Sequence, residues 1–189
     1  DRPASPIPWP LPAPVRPDYW GPSQIGDAIM ALNAVSDEPI TLIVDSPGGD
    51  IFTGFTLYDL IRMSRAPITT IGMFVASMAA TILAAGHRRL LLPHSTVMLH
   101  LPEQQFRQGT SMNVEDAKIM TKLLEDSKNE LVNVYIQRGA TANLKGGSTE
   151  RQIRAQIMKD INREYWLTAE QAVAYGLADA VISPEELYA

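Results

Sequence analysis

The chain has 189 residues, 46% hydrophobic and 20% charged, with a formal net charge of −5, enough for one domain with a sizeable core. Charges of both signs are spread along it, so no basic block marks a nucleic-acid groove. The absence of cysteine excludes a thiol nucleophile, a Cys-ligated metal and a disulfide scaffold, and it suits a reducing cytosol.

Residues 1–22, DRPASPIPWPLPAPVRPDYWGP, are studded with proline, which fixes φ and removes backbone donors. They read as an extended N-terminal arm outside the core. Lacking a basic region followed by an apolar stretch, they are not read as a signal peptide. SQIGDAIMALNAVSDEP reads as a helix with Ser23 as N-cap and Pro39 as its stop. ITLIVDSPGGD is a β-branched run of strand length ending in a Pro-Gly-Gly turn. IFTGFTLYDLIRMSRAP reads as a helix ending before Pro67, ITTIGMFV as a second apolar strand, and SMAATILAAG as a helix closed by Gly86. RRLLLP and STVMLHL read as two strands around Pro93. Residues 113–138 form a long helix with mixed charges on its outer face, followed by a small polar loop at 139–148. ERQIRAQIMKDI is helical, and WLTAEQAVAYGLADAVI gives a short helix and a strand. Thr168 and Gln171 make a capping box there, and Gly176 takes the left-handed stop. Strands apolar on both faces, alternating with helices, predict an α/β domain with a mostly parallel sheet covered on both sides.

Nothing between Arg65 and His87 is charged. The run is near the minimum length for a membrane span. It is nevertheless rich in Ala, Thr, Gly and Ser, and arginines at both ends give no orientation signal. A buried strand, a tight turn and a buried helix fit it better. Ser77 falls at that strand-to-helix junction. A helix starting there points free N–H groups and a positive dipole end at the serine, which makes the Met78 amide a natural oxyanion donor. The plainer role for Ser77 is an N-cap. The flanks are not Gly-x-Ser-x-Gly, so an α/β-hydrolase elbow is not indicated. The DSPGGD string at 45–50 can present amides uncovered by Cβ atoms, or it can be a turn and nothing more. A serine nucleophile needs a base, and His87, His94 and His100 all follow the serine segment. Spacing does not choose among them. His100 ends a strand, where side chains emerge into a cleft, whereas His94 and His87 read as solvated.

Taken together, Ser77, His100 and the DSPGG turn, in this order, resemble the proteolytic subunit family of Clp proteases, ClpP. The matching strings are ITLIVDSPGGDIFTGFTLYDLIR, VASMAATILAAG, LLLPHSTVMLHLP and WLTAEQAVAYGLADAVI, and the resemblance runs from about residue 23 to 184. It implies the ClpP/crotonase-like spiral of ββα units: a single α/β domain over 23–189 with a protruding handle helix at about 102–138. The implied activity is ATP-independent hydrolysis of peptide bonds in unfolded or extended polypeptides by a self-compartmentalised serine endopeptidase. In it Ser77 is the nucleophile, His100 the general base, and the Gly49 and Met78 N–H groups the oxyanion hole. The family's third triad member is usually Asp in a string like Arg-Asp-Arg-[Phe/Trp]. Here Arg163-Glu164-Tyr165-Trp166 puts Glu164 at that position, one methylene longer. Asp160 is the weaker candidate, and the plainer role for Glu164 is an ion pair with Arg163 or Lys159. No metal and no cofactor are implied.

The resemblance further implies a cytoplasmic homo-oligomer, a heptameric ring that can stack into a tetradecamer, fed by an AAA+ unfoldase, with no nucleic acid and no membrane span. Three departures bear on this. LPEQQFRQG replaces the family's Gln-Pro-Leu-Gly-Gly after the catalytic histidine, 139–148 looks like an insertion, and the arm does not resemble the family's axial loops. They leave ring stacking and the unfoldase open and lean toward TepA-like or phage-type ClpP-like proteases that work without one. A crotonase-fold acyl-CoA enzyme and an inactive ring subunit would share much of this pattern, but the retained Ser77 and His100 argue against both.

Overall fold

Three β-branched, apolar runs lie side by side in parallel as β1 (Ile40–Ser46), β2 (Ile68–Ala76) and β3 (Arg88–Leu99). β4 (Tyr165–Thr168) pairs antiparallel with β3 through Thr96–Leu99, and β5 (Ala180–Val181) pairs parallel with it at Leu90 and Leu91. The computed structural model describes residues 22–104 and 111–187. The proline-rich arm up to residue 21 and segment 105–110 of the expected handle lie outside these. Among the described residues six α-helices fill the connections: α1 (Pro22–Val35), α2 (Ile51–Met63), α3 (Met78–Ala85), α4 (Val114–Gln137), α5 (Glu150–Asp160) and α6 (Ala169–Tyr175). The result is the expected mixed α/β domain.

Local chemistry explains most element ends. Asn113 caps α4 by accepting from the Asp116 N–H, and Thr149 with Gln152 makes a capping box on α5. The expected box of Thr168 and Gln171 starts α6, and Gly176 ends it at φ 91. Two expectations shift. α1 begins at Pro22, so Ser23 lies inside its first turn. Proline suits a first helical position because its fixed φ is already helical and its missing N–H is one the helix cannot use. Pro93 does not divide two strands, because β3 runs through it. The register with β2 jumps from Gly72↔Leu91 to Phe74↔Thr96, leaving Pro93 in an exposed bulge. Buried Ser95 ties that bulge down: its Oγ accepts from the Leu92 N–H and donates to the Gly72 carbonyl at 2.7 Å.

The uncharged run is indeed a strand and a helix. All eight residues of α3 are buried, and no helix among the described residues is long and apolar enough to cross a membrane. The sheet, however, is not covered on both sides. On β1 the outward Ile43 is 62% exposed, and Met73, Phe74 and Trp166 also face solvent. α4 is divided in the same way. Its C-terminal half buries Leu131, Val132, Val134 and Tyr135, while its N-terminal half has no buried residue and leaves Val114 and Ile119 exposed. That half projects, as expected of a handle helix.

Arg89, one of the two arginines that follow the uncharged run, is buried. Its guanidinium pairs with Asp179 and donates to the carbonyls of Arg138 and Gly176. Burial raises the Asp179 pKa, but the hydrogen bonds and charge of Arg89 outweigh it, so the carboxyl titrates below its usual range. A depressed folded pKa stabilises the fold above the unfolded value and loses that contribution as pH falls below about 4. We predict that Arg89→Met destabilises the chain by about 2 kcal/mol in denaturant unfolding at pH 7, by removing the guanidinium from Asp179, which keeps only the residue 89 backbone N–H, and from two carbonyls. Its deficit relative to the parent chain should shrink below about pH 4.

Candidate active site

Ser77 is the residue between β2 and α3, and its backbone is in a left-handed conformation, φ 57 and ψ −127. A side chain at such angles stores about 1–3 kcal/mol of strain and persists only where its surroundings fix it. Three contacts do so. The Ser77 N–H donates to the Met98 carbonyl at 2.9 Å, the Ser77 carbonyl accepts from Ala80, and buried α3 follows at once. The hydroxyl makes no capping bond to the helix. It lies instead 2.7 Å from Nε2 of His100. The N-cap role is thereby set aside: Oγ is turned out of the helix and toward an imidazole.

His100 stands just past the end of β3, two residues beyond Met98, whose carbonyl fixes Ser77. The ladder that positions the serine therefore also positions the histidine. The other two histidines stay apart. His94 is exposed in the β3 bulge. His87 accepts the Ile68 N–H on Nδ1, and its pKa is lowered by partial burial and by the charges of Arg62 and Arg138.

The turn after β1 closes the site from the other side. Of its two glycines only Gly48 is left-handed, at φ 95. A Cβ there would meet the Ala76 carbonyl and Ser77 Cβ at 2.7 Å, and the Met78 N at 2.9 Å. Glycine is required because backbone passes against backbone. Gly49 has open space where a Cβ would be. Both glycines, Met78, Ser77 and His100 line one cavity of about 550 Å³. The first N–H groups of a helix have no partner within it, so Met78 brings an amide of that kind to this cavity. Asp50, also on its wall, caps α2 through Thr53, and the Thr53 hydroxyl and N–H hold its pKa below the usual carboxylate range.

Glu164 lines the same cavity. Its Oε2 accepts a hydrogen bond from the indole Nε1 of Trp166 at 3.0 Å, and among the described residues no ion pair joins it to His100, Arg163 or Lys159. Asp160 is engaged elsewhere, accepting from Gln156 at 2.7 Å and from the Tyr175 hydroxyl at 3.0 Å. Burial, then the charge and hydrogen bond of Asp160, push the Tyr175 pKa up, so that hydroxyl stays a donor. Sequence reasoning passes over Gly48 and Trp166. The Gly-Gly string marks the first without saying which glycine is left-handed. Only the two-residue spacing from Glu164 marks the second.

Comparison with known proteins agrees with the matched strings. A family model described as Clp protease matches residues 22–185. An ATP-dependent Clp protease proteolytic subunit 3 from Synechococcus sp. (strain CC9902) is 37% identical over 153 residues, covering 78% of this chain and 68% of that protein. Subunit 2 from Gluconobacter oxydans (strain 621H) is 36% identical over 160 residues, covering 82% and 65%. Subunit 1 from Protochlamydia amoebophila (strain UWE25) is 33% identical over 153 residues, covering 79% and 68%.

Two consequences of the backbone geometry are measurable. Gly48→Ala should lower the rate at which a fluorophosphonate labels Ser77 by about 100-fold or more, because the turn must move away from the serine. Gly49→Ala should leave the unfolding midpoint within experimental error. Ser77→Gly should be more stable than Ser77→Ala by about 1 kcal/mol in urea unfolding, since only glycine takes φ 57 without strain.

Proposed function

The chain belongs to the Clp protease family and is a ClpP-type serine peptidase; on that premise we propose that Ser77, His100 and Glu164 form its catalytic triad and that the Gly49 and Met78 N–H groups form its oxyanion hole. The observation that carries this reading is the 2.7 Å approach of Ser77 Oγ to His100 Nε2 in the mouth of the cavity.

These proposed roles give the steps. With the imidazole proton on Nδ1, Ser77 Oγ donates to Nε2. As Oγ bonds to the scissile carbonyl carbon, its proton passes to Nε2 and the carbonyl oxygen takes the negative charge. Amides at the N-terminus of a buried helix and at an uncovered glycine lie close to where that charge forms, in a setting where such dipoles act strongly. Collapse of the tetrahedral intermediate breaks the C–N bond, and Nε2 gives its proton to the departing amine. Water then repeats the sequence on the acyl-enzyme. The substrate is an extended polypeptide, laid against the Gly48–Gly49 segment by main-chain pairing. The apolar cavity wall, with Ile51, Phe52, Met98, Leu123 and Leu124, favours apolar side chains beside the scissile bond.

Family membership implies work as an oligomeric ring together with a Clp ATPase. The finer proposal is a homo-heptamer, stacked as a tetradecamer through the projecting half of α4, in the cytoplasm and fed by an AAA+ unfoldase. The arm and the 105–110 segment, where this chain departs from the family's strings, bear on those two interfaces. The acyl-CoA reading gains no support from a serine held on an imidazole.

A fluorophosphonate should label the parent chain at Ser77, and Ser77→Ala should abolish both labelling and hydrolysis of a fluorogenic peptide. Persistent cleavage by that variant would sink the assignment. Glu164→Ala should lower kcat by about 10- to 100-fold with little change in KM, because a carboxylate that steadies the imidazolium acts mainly in the transition state. An unchanged kcat would remove Glu164 from the triad.

A further inference from the structure

Two hydrogen-bond donors flank the carboxylate of Glu164, and it has taken one of them. β4 runs antiparallel to β3 with Met98 opposite Trp166 and Leu99 opposite Tyr165. One more step of that register sets His100 opposite Glu164, and facing residues of such a pair hold their Cβ atoms about 4.5–5.5 Å apart. Along its own strand, Glu164 shares a face with Trp166, two residues on. In the structure the carboxylate accepts the indole N–H of Trp166, and among the ion pairs of the described residues none joins it to His100, although the Ser77–His100 bond is already made. Trp166 is itself held in place. Its ring packs at 6.3 Å against Phe74 of β2, the strand that leads into Ser77.

We infer that Trp166 is a positioning residue, a latch whose indole N–H holds the Glu164 carboxylate off the His100 imidazole in the resting site. This rests on the proposed role of Glu164 as third member. The longer side chain is what permits the latch. An aspartate at 164 ends one methylene closer to the backbone and reaches the indole poorly. When His100 takes the Ser77 proton, it becomes a full positive charge across the ladder, and the carboxylate leaves a neutral donor for a cation. The Trp166 bond is thus present in the ground state and absent in the transition state, and an interaction of that kind raises the barrier. Both partners are exposed, so its worth is modest. The latch therefore sets rate within about one order of magnitude and does not decide between activity and none.

The test is steady-state hydrolysis of a fluorogenic peptide by the assembled full chain, with pH profiles. The titratable groups around His100 on the cavity wall are Asp50 of the α2 cap, Glu103 of the segment after β3, and Glu164. Trp166→Phe should raise kcat by about three- to tenfold with KM little changed. It should also move the acid limb of kcat/KM to higher pH, because a carboxylate released toward His100 favours the imidazolium. Both changes should vanish in the Glu164→Gln background. A slower or unchanged Trp166→Phe, or an equal gain with Glu164→Gln, overturns the latch. If Trp166→Phe does not fold, Trp166→Met keeps an apolar side chain against Phe74 with no hydrogen-bond donor for Glu164 and is held to the same outcomes. Failure is separable from failure of the underlying reading: an inactive Ser77→Ala and a slow Glu164→Ala beside a neutral Trp166→Phe sink the latch alone.

Discussion

A helix buried on every side must still find partners for the backbone groups at both its ends, and α3 resolves this unequally. Its C-terminal carbonyls are met by cations: Arg138 donates to Ala84 and Gly86, and Arg62 to Ala85. These arginines sit close to one another and to Arg89. Burial first, then the charges of Arg62 and Arg89, lower the Arg138 pKa, while Asp179 works in the opposite sense. The crowding of three guanidiniums is placed about 12 Å, the length of eight helical residues, from the other end. At that other end stand Ser77 and the cavity. The negative end of the helix dipole is neutralised in the core, and the positive end is kept for whatever charge appears beside the serine.

The same economy governs the paired serine and histidine. Serine and histidine come from the carboxyl ends of neighbouring parallel strands, where open α/β sheets place their ligands. The β2–β3 ladder ends at Ala76↔Met98, and the bond from the Ser77 N–H to the Met98 carbonyl continues it by one rung. Strain at Ser77 is thus held by a register that also presents His100 two residues later. Gly48 completes the enclosure by passing where no side chain fits. Because Ser77 and His100 directly follow the ends of paired strands, a distance of 2.7 Å between two side chains can be held by strand pairing.

How much of this can be read from the sequence follows from how local each cause is. The Thr168 box, the Gly176 stop and the extent of α4 are set by residues within one turn, and the string carries them plainly. The serine, the histidine and the two candidate amides stand out because their residue types and order resemble a known family. Their convergence is a property of the ladder, which no window along the chain contains. Pro93 misleads because a proline ends an isolated strand, whereas in a sheet a bulge and the Ser95 hydroxyl can absorb it. The burial of Arg89 is not marked in the string, because burial of a cation depends on Asp179, ninety positions away. The exposed outer side of the sheet escapes a reading of the string for a related reason: Ile43, Phe74 and Trp166 are apolar, and composition does not say which apolar faces another surface will cover.

Glu164 is the residue at which sequence and structure have to be read together. The family's strings point to an aspartate there, and the longer glutamate at first looks like a loosening of the proposed triad. Its indole partner gives the extra methylene a use. Two competitors for one carboxylate respond differently to their surroundings. The attraction to an imidazolium is charge against charge and strengthens steeply as water is excluded. The bond to an indole is charge against dipole and gains less. In the open site, with both Glu164 and Trp166 exposed, the balance lies with the indole. A peptide chain seated over Ser77 displaces water from the cavity, and proton transfer then creates the cation inside it. Both changes push the carboxylate the same way, so under the proposed roles substrate binding itself draws Glu164 toward the imidazole.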